Sequence, residues 1–248
     1  MLIHPTIENL RTLKLSGMVQ ALEAQMSMPE ALDLPFEDRL GLLTDAELIA
    51  RENRRLYSRL KEAKLRQSAC IEDVDLKAPR DLDRTLWSSL ITSQWIQRHQ
   101  NVSITGPTGA GKSFLACALA HKACRDGYTV FYTRTSRLFH DIGVARATGT
   151  YSKFLASLAK KDLIVMDDFL LAPPTDEQRR DLLEIMEDRY EKRSTLIASQ
   201  LPIAHWHEMI GDPTIADAIL DRFVHNAHKI ALQLKGDSMR KSKETNKG

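Results

Sequence analysis

Gly106-Pro107-Thr108-Gly109-Ala110-Gly111-Lys112-Ser113 fits the pattern G-x-x-x-x-G-K-[ST], a phosphate-binding loop set between a strand and a helix. Glycines let a backbone turn tightly enough for successive N–H groups to point inward at phosphate oxygens. The stretch before it, Asn101-Val102-Ser103-Ile104-Thr105, reads as a short buried strand, and Phe114 to Ala120 reads as a helix whose amino end attracts anions. In such a loop Lys112 reaches the β- and γ-phosphates, the Ser113 hydroxyl ligates Mg²⁺, and Phe114 completes the expected phosphate-binding set.

Downstream of the loop, Tyr128 to Thr133 is rich in β-branched and aromatic residues and reads as a second strand. Leu163-Ile164-Val165-Met166-Asp167-Asp168 is a continuous apolar run ending in two acids, the pattern of a buried parallel strand whose carboxyl end faces a ligand crevice. Asp167 is placed to hold Mg²⁺ and Asp168 to orient or deprotonate an attacking water. Thr175 to Gln178 can cap a helix of about fifteen residues. Thr195 to Ala198 forms a fourth strand, after which Gln200 sits at the same crevice. Residues 215–224 read as a helix carrying Arg222 near its end, where it could offer charge to a neighbouring subunit, and His228 to Leu234 is the last strand. His205, His207, His225 and His228 lack the acid or cysteine partners of a metal site.

On the amino-terminal side, Trp87, Leu90, Ile91, Trp95 and Ile96 give one apolar helical stripe, preceded by an irregular connector. Residues 1 to about 30 read as helical, with Gly17 as a weak spot, and a longer helix starts near Phe36. Its second half is basic: between residues 48 and 66, seven basic residues face only Glu52 and Glu62. Arg51, Arg54, Arg55, Arg59, Lys61 and Lys64 are therefore candidates for contact with a DNA phosphate backbone, against the plainer reading of a solvated face. The expected organisation is a helical domain over 1–68, a linker and covering helix over 69–100, a nucleotide-binding core over 101–236 and a basic tail over 237–248.

Composition narrows the classes. A net charge of +2 over 248 residues excludes a general polycation, so nucleic-acid contact must be local. No apolar run approaches a membrane span, and Met1 to Glu8 lacks a signal pattern. Cys70, Cys117 and Cys124 form neither a metal pattern nor an even disulfide set, and read as thiols of a reducing cytoplasm.

With these motifs assembled, the chain resembles the IstB type of AAA+ ATPase, the helper of an insertion-sequence transposase, and more distantly the DnaC helicase loaders. Beyond the phosphate loop, the stretches that carry the likeness are Asp176 to Glu184, Trp206-His207-Glu208, Gly211 to Arg222 continuing through His225 to His228, and Gly236 to Arg240. The resemblance implies an α/β fold: an αβα AAA+ core with a five-stranded parallel sheet behind a helical amino-terminal domain. It implies ATP with Mg²⁺ as cofactors, ATP-dependent self-assembly on duplex DNA, partnership with an IstA-type transposase, and a bacterial cytoplasmic setting. It places Gln200 at the first sensor, Arg222 at the inter-subunit arginine finger and Arg240 at the second sensor. Asp168 stands where many AAA+ ATPases have Glu, and its shorter side chain implies slow hydrolysis. A helicase loader is the alternative within this fold. A small-molecule kinase is the alternative from another class, but no acceptor pocket or lid is evident for it.

Overall fold

Residues 3–27 form two helices rather than one continuous stretch: α1 (Ile3–Thr12) and α2 (Ser16–Ser27), with Lys14 turning the chain at φ 59°. The computed structural model describes residues 3–234, and the chain divides into two compact units, one ending at Ser58 and the other starting at Arg59. In the first unit, the short α3 (Pro29–Leu32) leads to the start of α4 (Phe36–Ala63), which begins where Pro35 predicts and whose residues 59–63 belong to the second unit. Gly17 is not a weak spot but a contact. A Cβ there would lie 2.5 Å from the Ala46 carbonyl oxygen, so only glycine lets α2 approach α4 this closely. Glu47, 5% exposed, accepts from the Gly17 amide at 2.7 Å and caps the start of α2. The same carboxylate accepts from Arg51 at 2.8 Å and Arg54 at 3.0 Å. Hydrogen bonding from Arg51 leads the effects that hold Glu47 below the usual carboxylate range.

In the second unit the stripe from Trp87 to Ile96 is also two helices, α5 (Arg84–Leu90) and α6 (Gln94–Gln97), split at Ser93 with φ 58°. The strands are β1 (Asn101–Thr105), β2 (Val130–Arg134), β3 (Leu163–Asp167), β4 (Ser194–Ser199) and β5 (Ala227–Ala231). They form one sheet in the order β2-β3-β4-β1-β5, with every neighbouring pair parallel. Every residue of β1, β3 and β4 is buried, and β3 accordingly reads as a continuous apolar run up to Asp167.

Helix α7 (Lys112–Arg125) packs on one face of the sheet. The other face, through Ile164, Met166 and Ile197, meets α8 (Thr135–Ala147), α9 (Tyr151–Ala159), α10 (Asp176–Arg189), α11 (Trp206–Ile210) and α12 (Pro213–Val224). Trp206 anchors this layer, with ring centroids 5.0 Å from Phe169 and 5.8 Å from Phe223 and its indole N–H donating to the Leu201 carbonyl. Thr175 and Gln178 form the expected capping box on α10. Cys117 and Cys124 are buried, and burial pushes each thiol up to about 11. Among the described residues no helix is long and apolar enough to cross a membrane.

Arg189, 1% exposed at the end of α10, ties three segments together. Its guanidinium donates to the carbonyls of Leu158 and Lys161, each at 2.8 Å, to the Ser194 carbonyl and to the Thr195 hydroxyl. Burial pulls its pKa down to about 9. Removing the guanidinium strands several buried carbonyls, each costing about 1–3 kcal/mol. Arg189→Ala is therefore expected to lower the unfolding free energy by about 3 kcal/mol or more, read as an earlier urea midpoint.

Candidate nucleotide-binding site

The loop leaves the carboxyl end of β1 between two neighbouring strands. Gly106, at φ 147°, lies against the chain just after β5: a Cβ would meet the Leu232 carbonyl oxygen at 2.5 Å. The Leu232 amide in turn donates to the Thr105 carbonyl at 2.8 Å. Gly109 and Gly111 adopt φ of 89° and 91°, which only glycine takes up readily, and Gly111 leads straight into α7. Lys112 folds back over the loop, donating from Nζ to the Gly106 carbonyl at 2.7 Å and the Pro107 carbonyl at 2.9 Å. Thr108 donates to Gln200 Oε1 at 2.8 Å, so Gln200 stands at the loop, as its position after β4 predicts.

Two strands from β1, β3 ends in the acid pair. Asp167 is almost fully buried, and the Tyr132 hydroxyl donates to its Oδ2 at 2.5 Å. Burial, reinforced by that bond, holds the Tyr132 pKa far above its usual value, so the phenol stays a donor. The Asp168 amide donates to Asp167 Oδ1 at 2.9 Å. Asp168 sits at φ 55°, a conformation Asp tolerates better than most residues, and this turns its carboxylate out of the strand. The Phe169 amide then bonds to the Ala198 carbonyl at 3.0 Å, and Ser199 Oγ bonds back to the Phe169 carbonyl at 2.7 Å. These bonds stitch the acid pair to the end of β4.

Three neighbours of the acids were not assigned to this site from the sequence, where Arg66 counts only among the basic residues of the run 48–66. Arg66 Nη1 lies 3.6 Å from Asp167 Oδ2 and 3.7 Å from Asp168 Oδ2, and Arg134 Nε lies 3.9 Å from Asp168 Oδ2. Tyr132 is the third. The signal was the register of β2 on β3, which sets Arg134 beside Asp167 and Tyr132 beside Val165. Strand pairing is not visible in a local pattern.

Arg222 stands elsewhere. Asn101, the first residue of β1, donates to the Phe223 carbonyl at 3.0 Å, so the end of α12 lies at the opposite end of β1 from the loop. Five residues of strand span roughly 16 Å. The Arg222 guanidinium is engaged by Glu187 and the Ala218 carbonyl, both at 2.9 Å. Arg51 and Arg54 share Glu47, and Arg54 also bonds Ser16 Oγ. Arg59 lies 3.5 Å from the Cys124 carbonyl at the end of α7, while Arg55, Lys61 and Lys64 are exposed. Arg240 and the expected tail over 237–248 lie outside the described residues.

The family described as IstB-like ATP binding protein matches residues 8–247. A Sinorhizobium fredii protein, named as an insertion sequence ATP-binding protein, is 50% identical over 242 residues, covering 98% of each chain. A similarly named Pseudomonas fluorescens protein is 44% identical over 203 residues, covering 82% of this chain and 88% of its own. Among solved structures, the replication initiator DnaA bound to AMPPCP and single-stranded DNA superposes with TM-score 0.57 at 18% identity, over 74% of this chain and 57% of that one. DnaI superposes with TM-score 0.56 at 19% identity, over 71% and 92%. These likenesses establish the AAA+ fold.

The loop's geometry sets a sharp expectation. Gly106→Ala introduces a Cβ that must displace the backbone at Leu232, moving the loop rather than only the strand. The variant is expected to bind ATP at least about tenfold more weakly, for which a change of about 1.4 kcal/mol suffices. Fluorescent-nucleotide titration beside a circular-dichroism melt separates loop displacement from unfolding.

Proposed function

Because the chain belongs to the IstB-like family of ATP-binding proteins, we propose that it is an ATPase that assembles on duplex DNA and readies it for a transposase of the same insertion sequence. The observation that carries this reading is the split of the machinery between the two ends of β1. Lys112, Gln200, Asp167 and Asp168 gather at the carboxyl ends of the strands, and Arg222 lies at the amino end of β1. An arginine that far from its own phosphate loop cannot serve its own nucleotide. It is suited to complete the site of a second copy of the chain.

Each residue has a task within reach. On nucleotide binding, Lys112 exchanges the carbonyls of Gly106 and Pro107 for β- and γ-phosphate oxygens, and the loop amides take the remaining charge. Asp167 and the Ser113 hydroxyl are hard oxygen donors, and a buried carboxylate beside a guanidinium is a site that already calls for positive charge, so they suit Mg²⁺. Mg²⁺ held by these residues would neutralise the charge that develops on the phosphates. Asp168 accepts the proton of the attacking water, and Gln200, held by Thr108, orients that water or the γ-phosphate. The shorter reach of Asp168 compared with Glu favours slow turnover, suited to an assembly switch.

Arg222→Ala is expected to leave ATP binding by the isolated chain within about twofold, since no contact of Arg222 approaches the loop. It should abolish both growth into large particles with ATP and duplex DNA and DNA-stimulated phosphate release. Size-exclusion chromatography and a phosphate-release assay read the two effects. A variant that assembles and hydrolyses like the parent removes Arg222 from the mechanism.

DNA binding is best tested on exposed residues that do not also hold the fold. Arg51, Arg54 and Arg59 each bond protein groups, so charge reversal there confuses binding with stability. Reversing Arg55, Lys61 and Lys64 to Glu should weaken duplex binding for all sequences. It should also flatten the log–log salt dependence by roughly 0.9 for each phosphate no longer neutralised. A fall in affinity with an unchanged slope marks a protein-binding surface, as a helicase loader would use.

A further inference from the structure

Arg66 is the last of the seven basic residues in the run, and its placement sets it apart from the other six. It lies beyond the end of α4, after Lys64 turns the chain at φ 53°. The backbone at Arg66 and Gln67 lies beside the Cys117 thiol, a buried group on α7 five residues after Lys112. Ala63 and Ala69, on either side, are completely buried. The segment is therefore fixed along the helix that carries the phosphate loop.

From that anchorage the guanidinium approaches both acids, 3.6 Å from Asp167 Oδ2 and 3.7 Å from Asp168 Oδ2, the first of which also accepts from the Tyr132 hydroxyl. The Asp167 side chain is 2% exposed, so water does little to neutralise it. Arg134 approaches Asp168 alone and is half exposed. Arg66 is thus the group that balances the pair.

We propose that Arg66 is a built-in counter-ion of the two carboxylates that competes with the divalent cation for them and yields only when nucleotide arrives. The inference rests on the reading of Asp167 as a metal-holding residue. Magnesium bonds oxygen at about 2.0–2.1 Å, so an ion on Asp167 Oδ2 stands within a few ångströms of the present guanidinium, and two cations that close repel strongly. Nucleotide relieves the conflict, because its phosphates give the metal further ligands and the guanidinium a new acceptor. The site therefore gathers little metal when empty and binds metal and nucleotide together.

The test is Mn²⁺ titration of the full chain, reading unbound Mn²⁺ by electron paramagnetic resonance, with and without a non-hydrolysable ATP analogue. Removing a positive charge this close to the metal's place relieves a repulsion worth more than a factor of about ten, so Arg66→Ala should bind Mn²⁺ without nucleotide at least about tenfold more tightly than the parent. Arg66→Gln should do the same if the alanine variant folds poorly, and Arg66→Lys should restore weak binding. Adding Asp167→Asn to Arg66→Ala should erase the gain. Equal nucleotide-free Mn²⁺ affinity in the parent and both neutral variants overturns the inference, while disappearance of analogue-dependent binding in Asp167→Asn keeps the metal-site reading. Analogue-dependent Mn²⁺ binding that survives Asp167→Asn in the parent overturns both.

Discussion

Where β1 gives way to the phosphate loop, nothing larger than hydrogen fits at residue 106. β1 runs between β4 and β5, and the chain leaving β5 crosses directly over the loop's first residue through Leu232. That close approach fixes where the loop starts and hence where its amides and Lys112 can point. Two strands away, the acid pair is tied to the end of β4 by the bonds of Phe169 and Ser199. Gln200 directly follows β4 and bonds to Thr108 in the loop. The site is accordingly a property of the sheet's carboxyl edge. It is precise because parallel strands, buried on both faces, leave little freedom at their ends.

Buried charge is used in two ways in this protein. Arg189 and Glu47 hold structure: each satisfies several groups that would otherwise be stranded, Arg189 across α9, α10 and β4, and Glu47 between α2 and α4. Breaking such arrangements is costly because the remaining partners cannot reach water. Asp167 is as deeply buried, but its cationic partner is more than a third exposed and sits beyond close hydrogen-bonding range. That is the looser geometry expected of a contact made to be exchanged. On the function proposed above, the acid pair at the end of β3 belongs with activity rather than with stability.

Local patterns carried most of the core. The loop, the apolar run into Asp167 and Asp168, the capping box at Thr175 and the strand before Gln200 all depend on residues adjacent in the chain, and each stands where the sequence reading puts it. Breaks within helices were harder. Lys14 and Ser93 turn the chain in the left-handed region without glycine, so apolar spacing runs smoothly across both. Gly17 was legible as an exception but not as a helix contact, because the backbone of Ala46 lies 29 residues away in the chain. Arg66 was hidden by company: surrounded by basic residues, it shared their apparent purpose until the path beyond Ala63 brought it to Asp167. Arg134 and Tyr132 needed the register of β2 on β3.

Helix α7 is clothed in protein along most of its length, with Leu115, Ala116, Cys117, Ala118, Ala120, Ala123 and Cys124 all fully buried. Small side chains on nearly every side make it thin and keep water from its flanks. A helix in such low-dielectric surroundings has its end charges poorly screened, so the positive potential at Lys112 is stronger than at the tip of a solvent-exposed helix. Dissolved ions shield exposed charges and scarcely reach buried ones. Ionic strength therefore acts unequally on the molecule: exposed basic residues such as Arg55 and Lys61 lose their attraction as salt rises, while the pull on phosphate at the mouth of α7 persists.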